Sequence, residues 1–143
     1  MIDDDCLFCR IVSGKTDAVV VYRDENVLVF LDHRPLFAGH CLIVPTEHYE
    51  TLTDLPKEEI ARFFERVQLI SLAVQSALGA EGTFVAMNNR VSQSVPHLHV
   101  HVVPRKKGDG LKGFFWPRTK YKTQLEMEDV ANRIADYLAK SDS

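Results

Sequence analysis

At 143 residues, 45% apolar and 26% charged, the chain has the size and composition of one ordinary globular domain, residues 1–143. A net charge of −3 excludes the global basic field that recruits nucleic acid or anionic membrane, leaving only the local run Arg105-Lys106-Lys107. Met1–Asp5 has neither the basic nor the apolar stretch of a secretory signal, and no apolar run approaches the ~18 residues of a membrane span. A cytoplasmic location is therefore expected, and three cysteines in such a chain argue against a disulfide framework.

Cys6 and Cys9 come first, at a spacing that suits a pair of thiolate metal ligands, with redox chemistry as the rival reading. Strands are expected at Val19–Tyr22, Val27–Leu31 and Cys41–Val44, with Asp24-Glu25-Asn26 turning between the first two. Cys41 reads as a small buried hydrophobe. A long helix is expected from about Pro56 to Leu78, capped by Asp54 and ended by Gly79. Its buried stripe is Ile60, Phe63, Phe64, Val67, Ile70, Val74 and Leu78. Strands at Thr83–Met87 and His97–Val103 follow, then an irregular stretch containing Trp116 and a helix over Gln124–Ala139. The order implies an α+β fold with a mostly antiparallel, five-stranded sheet.

His97, His99 and His101 alternate with Leu98, Val100 and Val102, so a strand places all three imidazoles on one face. The rings are then expected roughly 6.6 Å apart, from the ~3.3 Å rise per residue. His40, just before the third strand, is the natural fourth ring. Three histidines on one strand face exceed what structural duty requires. Periodicity alone leaves a metal-binding face and nucleophilic catalysis both open.

Flanking residues add to this reading. The run Gln93-Ser94-Val95-Pro96-His97-Leu98-His99-Val100-His101-Val102-Val103 resembles the signature of the histidine triad (HIT) family. The resemblance also takes in Cys6-Leu7-Phe8-Cys9, Phe30-Leu31-Asp32, Gly39-His40 and Pro45-Thr46-Glu47-His48, in family order over roughly two-thirds of the chain.

It implies that His99 attacks the α-phosphate of a nucleotide to form a nucleotidyl-histidine. To keep a lone pair on the attacking nitrogen, the other ring nitrogen of His99 needs an acceptor, expected to be a backbone carbonyl. His101 then donates to a non-bridging oxygen, Ser94 touches the phosphate or leaving group, and His40 lies behind the nucleophile. Asp32 corresponds to a carboxylate that accepts from the ribose hydroxyls. Gln93 either orients phosphates or bonds to loop backbone, and Phe8, Ile11 and Leu31 line a base pocket or belong to the core. Asn88 or Asn89 corresponds to an Asn near the leaving group. The loop Asn89-Arg90-Val91-Ser92 departs from the family pattern, being short and lacking the glycines before Gln93.

In zinc-bearing relatives the thiolates are joined by two histidines, here His48 and His97, giving a closed, structural Cys2His2 site. Beyond the triad, Arg105, Lys106 and Lys107 either meet extra phosphates or form solvated surface. In the stretch expected to set substrate choice, Trp116 either closes over a nucleotide or leaving group or packs at a dimer interface, and Lys120 and Tyr121 share those readings. The resemblance implies release of a mononucleotide such as AMP from a nucleoside 5′-phosphoramidate or related conjugate, by an edge-to-edge homodimer. The alternatives are a dinucleoside polyphosphate hydrolase or phosphorylase, and a zinc-stabilised nucleotide-binding interaction module.

Overall fold

The structure is a computed structural model and describes residues 3–111 and 118–141. Trp116, expected at the nucleotide or at a dimer interface, lies outside the described residues. The chain divides into two compact units, Met1–Asp109 and Gly110–Ser143.

The first unit holds helix α1 (Leu7–Val12), strands β1 (Val20–Arg23), β2 (Val27–Leu31) and β3 (Cys41–Pro45), helix α2 (Lys57–Leu78), and strands β4 (Gly82–Ala86) and β5 (Val100–Arg105). The five strands form one antiparallel sheet in the order β1-β2-β3-β5-β4. The expected α+β class is observed. In the β1–β2 turn, Asp24 Oδ1 accepts the backbone N–H groups of Asn26 and Val27 at 2.7 and 2.9 Å. The second unit contains helix α3 (Gln124–Ser141).

Alternation splits the sheet residues between two cores. Val27 and Val29 of β2, Cys41 and Ile43 of β3, and Val100 and Val102 of β5 pack with Phe63, Val67, Ile70 and Val74 of α2. The intervening Leu28, Phe30, Leu42 and Val44 face the opposite way and pack with Phe8, Cys9, Ile11 and Val12 of α1. Of the expected α2 stripe, Ile60 and Leu78 are exposed, so the buried stripe is shorter than the apolar pattern.

Two local expectations differ from the structure. Asp54 does not cap α2: Pro56 occupies that position, while the Asp54 carboxylate accepts the N–H and hydroxyl of Thr51 in a separate short 3-10 turn, Leu52–Asp54. Gly79 does end α2, in the left-handed conformation at φ 62°. Strand β5 runs Val100–Arg105 rather than His97–Val103. Upstream of Val100, the backbone amides leave the ladder: His97 N–H donates to the Val95 carbonyl and Leu98 N–H to that of Tyr49. Downstream, β3 pairing ends at Cys41↔Val102, so Pro104 lies where its missing N–H removes no ladder bond on that side.

Candidate active site and metal cluster

Although β5 begins late, the alternation of the histidine segment survives. Leu98, Val100 and Val102 lie in the α2-side core, while His97, His99 and His101 turn to the α1 side. Phe8 packs edge-on against His97 and His99, with ring centroids at 6.0 and 5.0 Å, and against Phe30 at 5.4 Å. His99 and His101 are 5.1 Å apart, closer than the backbone rise alone suggests. Phe8 and Ile11 are core residues, whereas Leu31 is exposed at the strand end beside Asp32.

The backbone dictates where each ring keeps its proton. His99 Nδ1 lies 2.8 Å from the His97 carbonyl, which accepts only, so Nδ1 carries the hydrogen and Nε2 keeps its lone pair. The expected backbone acceptor is thus the carbonyl two residues upstream. Burial pushes the His99 pKa down, against the upward effects of that hydrogen bond and of Asp32, and holds the ring neutral at pH 7.

At the other end, His40 Nδ1 accepts the Leu36 N–H at 3.1 Å. The neutral His40 ring must therefore be protonated at Nε2, 2.9 Å from His101 Nδ1. His101 accepts there and is left with an Nε2–H donor. Burial keeps both rings neutral, helped at His101 by repulsion from His99 and His40, which puts its pKa at about 4. His40 thus stands against His101, not behind His99. Asp32 Oδ1 accepts the Arg34 N–H at 2.9 Å, and Oδ2 lies 3.6 Å from His40 Nε2. Asp32, His40 and His101 are close enough to resemble a metal site. The Leu36 N–H argues against that role, because His40 Nε2 has no lone pair to offer.

His97 has the reverse arrangement. Its Nε2–H donates to the Pro45 carbonyl at 2.9 Å, which leaves the Nδ1 lone pair facing Cys6 Sγ at 3.4 Å and Cys9 Sγ at 3.5 Å. His48 Nδ1 is 3.2 Å from Cys9 Sγ, and the four donor atoms lie within 4.8 Å of one another. Two sulfurs and two nitrogens at this spacing, with one histidine locked by a carbonyl behind it, fit a tetrahedral divalent metal such as zinc. Cys41 stands apart, buried, with its thiol donating to the Gly39 carbonyl at 3.3 Å.

Ser94 is exposed in the bend before His97. Gln93 is engaged with loop backbone, donating to the Glu50 carbonyl at 2.6 Å and accepting the Arg90 N–H at 2.8 Å. Asn89 Oδ1 accepts the Leu52 N–H at 2.8 Å. Ala86, the last residue of β4, pairs with His101, and Asn88 follows two residues beyond the strand end. Arg90 and Ser92 hold φ of 70° and 60°, so this loop adopts the left-handed conformations despite lacking glycines. Arg105 is paired with Asp109 through contacts of 2.7 and 3.1 Å. Lys120 and Tyr121 are exposed in the second unit. The sequence points to a backbone carbonyl behind His99 but not to the Leu36 amide or the Pro45 and Tyr49 carbonyls, since backbone groups leave no mark on residue identity.

Residues 13–108 match the HIT domain model, and the chain belongs to the HIT family. It is 44% identical over 107 residues to an uncharacterised HIT-like protein of Methanocaldococcus jannaschii, covering 73% of this chain and 82% of that one. The adenylylsulfatase HINT3 of Arabidopsis thaliana is 38% identical, with 77% of this chain matching 57% of HINT3. The adenosine 5′-monophosphoramidase hnt1 of Schizosaccharomyces pombe is 33% identical, covering 78% of this chain and 83% of that one. Among solved structures, a protein from Streptococcus mutans superposes with TM-score 0.84 at 34% identity, over 95% of this chain and 87% of that one. A zinc-bound histidine triad family protein from Mycobacterium smegmatis superposes with TM-score 0.71 at 38% identity, over 92% and 96%.

Proposed function

We propose that the chain is a nucleotide hydrolase/transferase that cleaves a nucleoside 5′-phosphoramidate, or a related nucleotide conjugate, at the α-phosphate. The carrying observation is the pair of opposite protonation patterns on adjacent rings, a lone pair at His99 Nε2 beside a donor at His101 Nε2. His99 Nε2 attacks phosphorus, a P–N bond forms to the ring, and the leaving amine departs with a proton from water. His101 donates to a non-bridging oxygen as charge builds there. Water then attacks phosphorus and breaks the bond to His99, giving the mononucleotide and releasing a proton. Ser94 and Asn88 attend the leaving group, His40 fixes His101, and Asp32 takes the ribose. Gln93 serves by holding the loop rather than by binding phosphate. The names of HINT3 and hnt1 support nucleotide substrates bearing a good leaving group on an adenylyl unit. The pairing of Arg105 with Asp109 weakens the case for a longer polyphosphate substrate.

Cys6, Cys9, His48 and His97 are the proposed zinc ligands. Bound there, zinc supplies a structural tie between α1 and the histidine segment. Among the described residues β4 stands at one end of the sheet order, a position that supports an edge-to-edge homodimer.

The test is turnover of adenosine phosphoramidate by wild type and His99→Ala, with acid-quench trapping of nucleotidylated protein. Wild type is expected to form the adduct and turn over, and the variant to lose at least roughly 10³-fold with no adduct. Equal rates would remove the nucleophile, and nucleotide binding without turnover in wild type would favour the interaction-module alternative.

A further inference from the structure

We propose that Asp32 and His40 form a coupling element through which ribose recognition sharpens phosphate stabilisation by His101, so that the 2′-hydroxyl acts on the chemical step as well as on binding. This rests on the functional reading above, in which Asp32 holds the sugar. Its basis is that the one hydrogen on His40 Nε2 goes to His101 Nδ1 at 2.9 Å, while a second acceptor, Asp32 Oδ2, stands just beyond hydrogen-bond distance at 3.6 Å. The Leu36 N–H prevents that hydrogen from moving to the other ring nitrogen.

Asp32 and His101 therefore compete for a single donor. His40 is buried and the Asp32 side chain is 18% exposed, so water has little access to the His40 donor while the carboxylate stays open to a ligand. Ribose hydroxyls donating to Asp32 occupy its lone pairs and leave the His40 proton wholly to His101. The bonds then run in one direction, from Leu36 N–H to His40, from His40 to His101, and from His101 Nε2–H to the phosphoryl oxygen. Such a chain polarises cooperatively, so a firmer bond at His101 Nδ1 makes Nε2–H a better donor. A sugar lacking one hydroxyl leaves an Asp32 lone pair free to draw on His40, and the last bond weakens. In this scheme Asp32 and His40 are positioning residues for His101 as well as neighbours of the sugar.

The experiment compares adenosine and 2′-deoxyadenosine 5′-phosphoramidates on wild type and His40→Gln. The Gln amide carries two hydrogens and can satisfy both acceptors at once, which removes the competition. Wild type is expected to lose roughly three- to tenfold in kcat on the deoxy substrate, in addition to any rise in KM. In His40→Gln the kcat ratio is expected to collapse towards one while the KM ratio persists. A deoxy penalty confined to KM in wild type, or an unchanged kcat ratio in the variant, would overturn the coupling and leave the functional reading intact. Failure of wild type to turn over any nucleoside phosphoramidate would overturn both. A measurement without a variant guards against misfolding: ¹⁵N shifts of the His101 ring with AMP or 2′-deoxy-AMP bound. Distinct Nδ1 shifts for the two nucleotides support the coupling, and identical shifts overturn it.

Discussion

The two ends of the histidine segment use the same side chain for opposite purposes. At His97 the Nε2–H is spent on the Pro45 carbonyl, and the free lone pair at Nδ1 joins a soft, closed donor set with Cys6, Cys9 and His48. At His101 a neighbouring donor occupies Nδ1 and a hydrogen remains at Nε2. His99 lies between them, its proton fixed by the His97 carbonyl. Residue type is the same throughout, and His97 and His99 are both buried, so neither property separates metal ligation from phosphate chemistry. The difference lies in whether a carbonyl or an N–H stands behind each ring. A backbone acceptor exposes a lone pair; a backbone donor, relayed through His40, exposes a hydrogen.

The largest effect is expected from breaking the thiolate end. Cys9→Ser removes a buried sulfur that faces both His48 and His97. Bound zinc should fall from about one per chain to a small fraction, with a loss of several kcal/mol in unfolding free energy. The donor state of His101 should survive in whatever fraction stays folded. Metal analysis, denaturant titration and the His101 ring ¹⁵N shifts test the three parts. Undiminished zinc and an unchanged midpoint would mean that the cluster is not a metal site.

Acidification should act on the other end. Burial, followed by the charges of His99 and His40, holds the His101 pKa at about 4 despite the opposing pull of Asp32. With an unfolded value near 6.5, the folded protein binds fewer protons than the unfolded chain between those limits. The contribution is fully present above about pH 6.5 and is lost as pH falls through about 4, amounting to on the order of 2–3 kcal/mol. Denaturant titrations at pH 7 and pH 4.5 should show a shallower pH dependence in His101→Asn than in wild type. Comparing the two slopes cancels the acid sensitivity of the thiolate end, which both proteins share. Parallel slopes would contradict a neutral, half-buried His101.

Much of this division was legible in the sequence, and its limits are instructive. Alternation of His97, His99 and His101 with Leu98, Val100 and Val102 placed the rings on one face, because apolar and imidazole side chains segregate between two differently packed sheet faces. The spacing of Cys6 and Cys9 pointed to their cluster. The start of β5 is not legible in the sequence, since Leu98 gives its N–H to the Tyr49 carbonyl, a partner decided by tertiary packing. The short helix α1 leaves no sequence signal, because six residues carry too little periodicity. Asp54 matched a helix cap by composition, yet the nearer hydroxyl and amide of Thr51 claimed it. The position of His40 against His101 depends on the Leu36 amide, which any residue other than proline would supply.

A smaller effect should follow from Gly39→Ala, which perturbs the phosphate end alone. Gly39 sits at φ +99°, a conformation that a Cβ resists, and an added methyl would meet Leu78 Cδ1. The next residue is His40, whose N–H donates to the Phe37 carbonyl and whose carbonyl accepts from Asp32. Strain at position 39 therefore passes into the ring that sets His101. The substitution should cost about 1–2 kcal/mol and lower kcat, with zinc content unchanged. Leu78 is 48% exposed, so trimming it costs little core. The double variant Gly39→Ala/Leu78→Ala should recover the part of the loss due to the clash and retain the part due to φ. Full recovery would assign the role of Gly39 to close packing; no recovery would assign it to backbone conformation. A fall in zinc in either variant would show that the two ends are mechanically joined, contrary to the separation drawn from their hydrogen bonds.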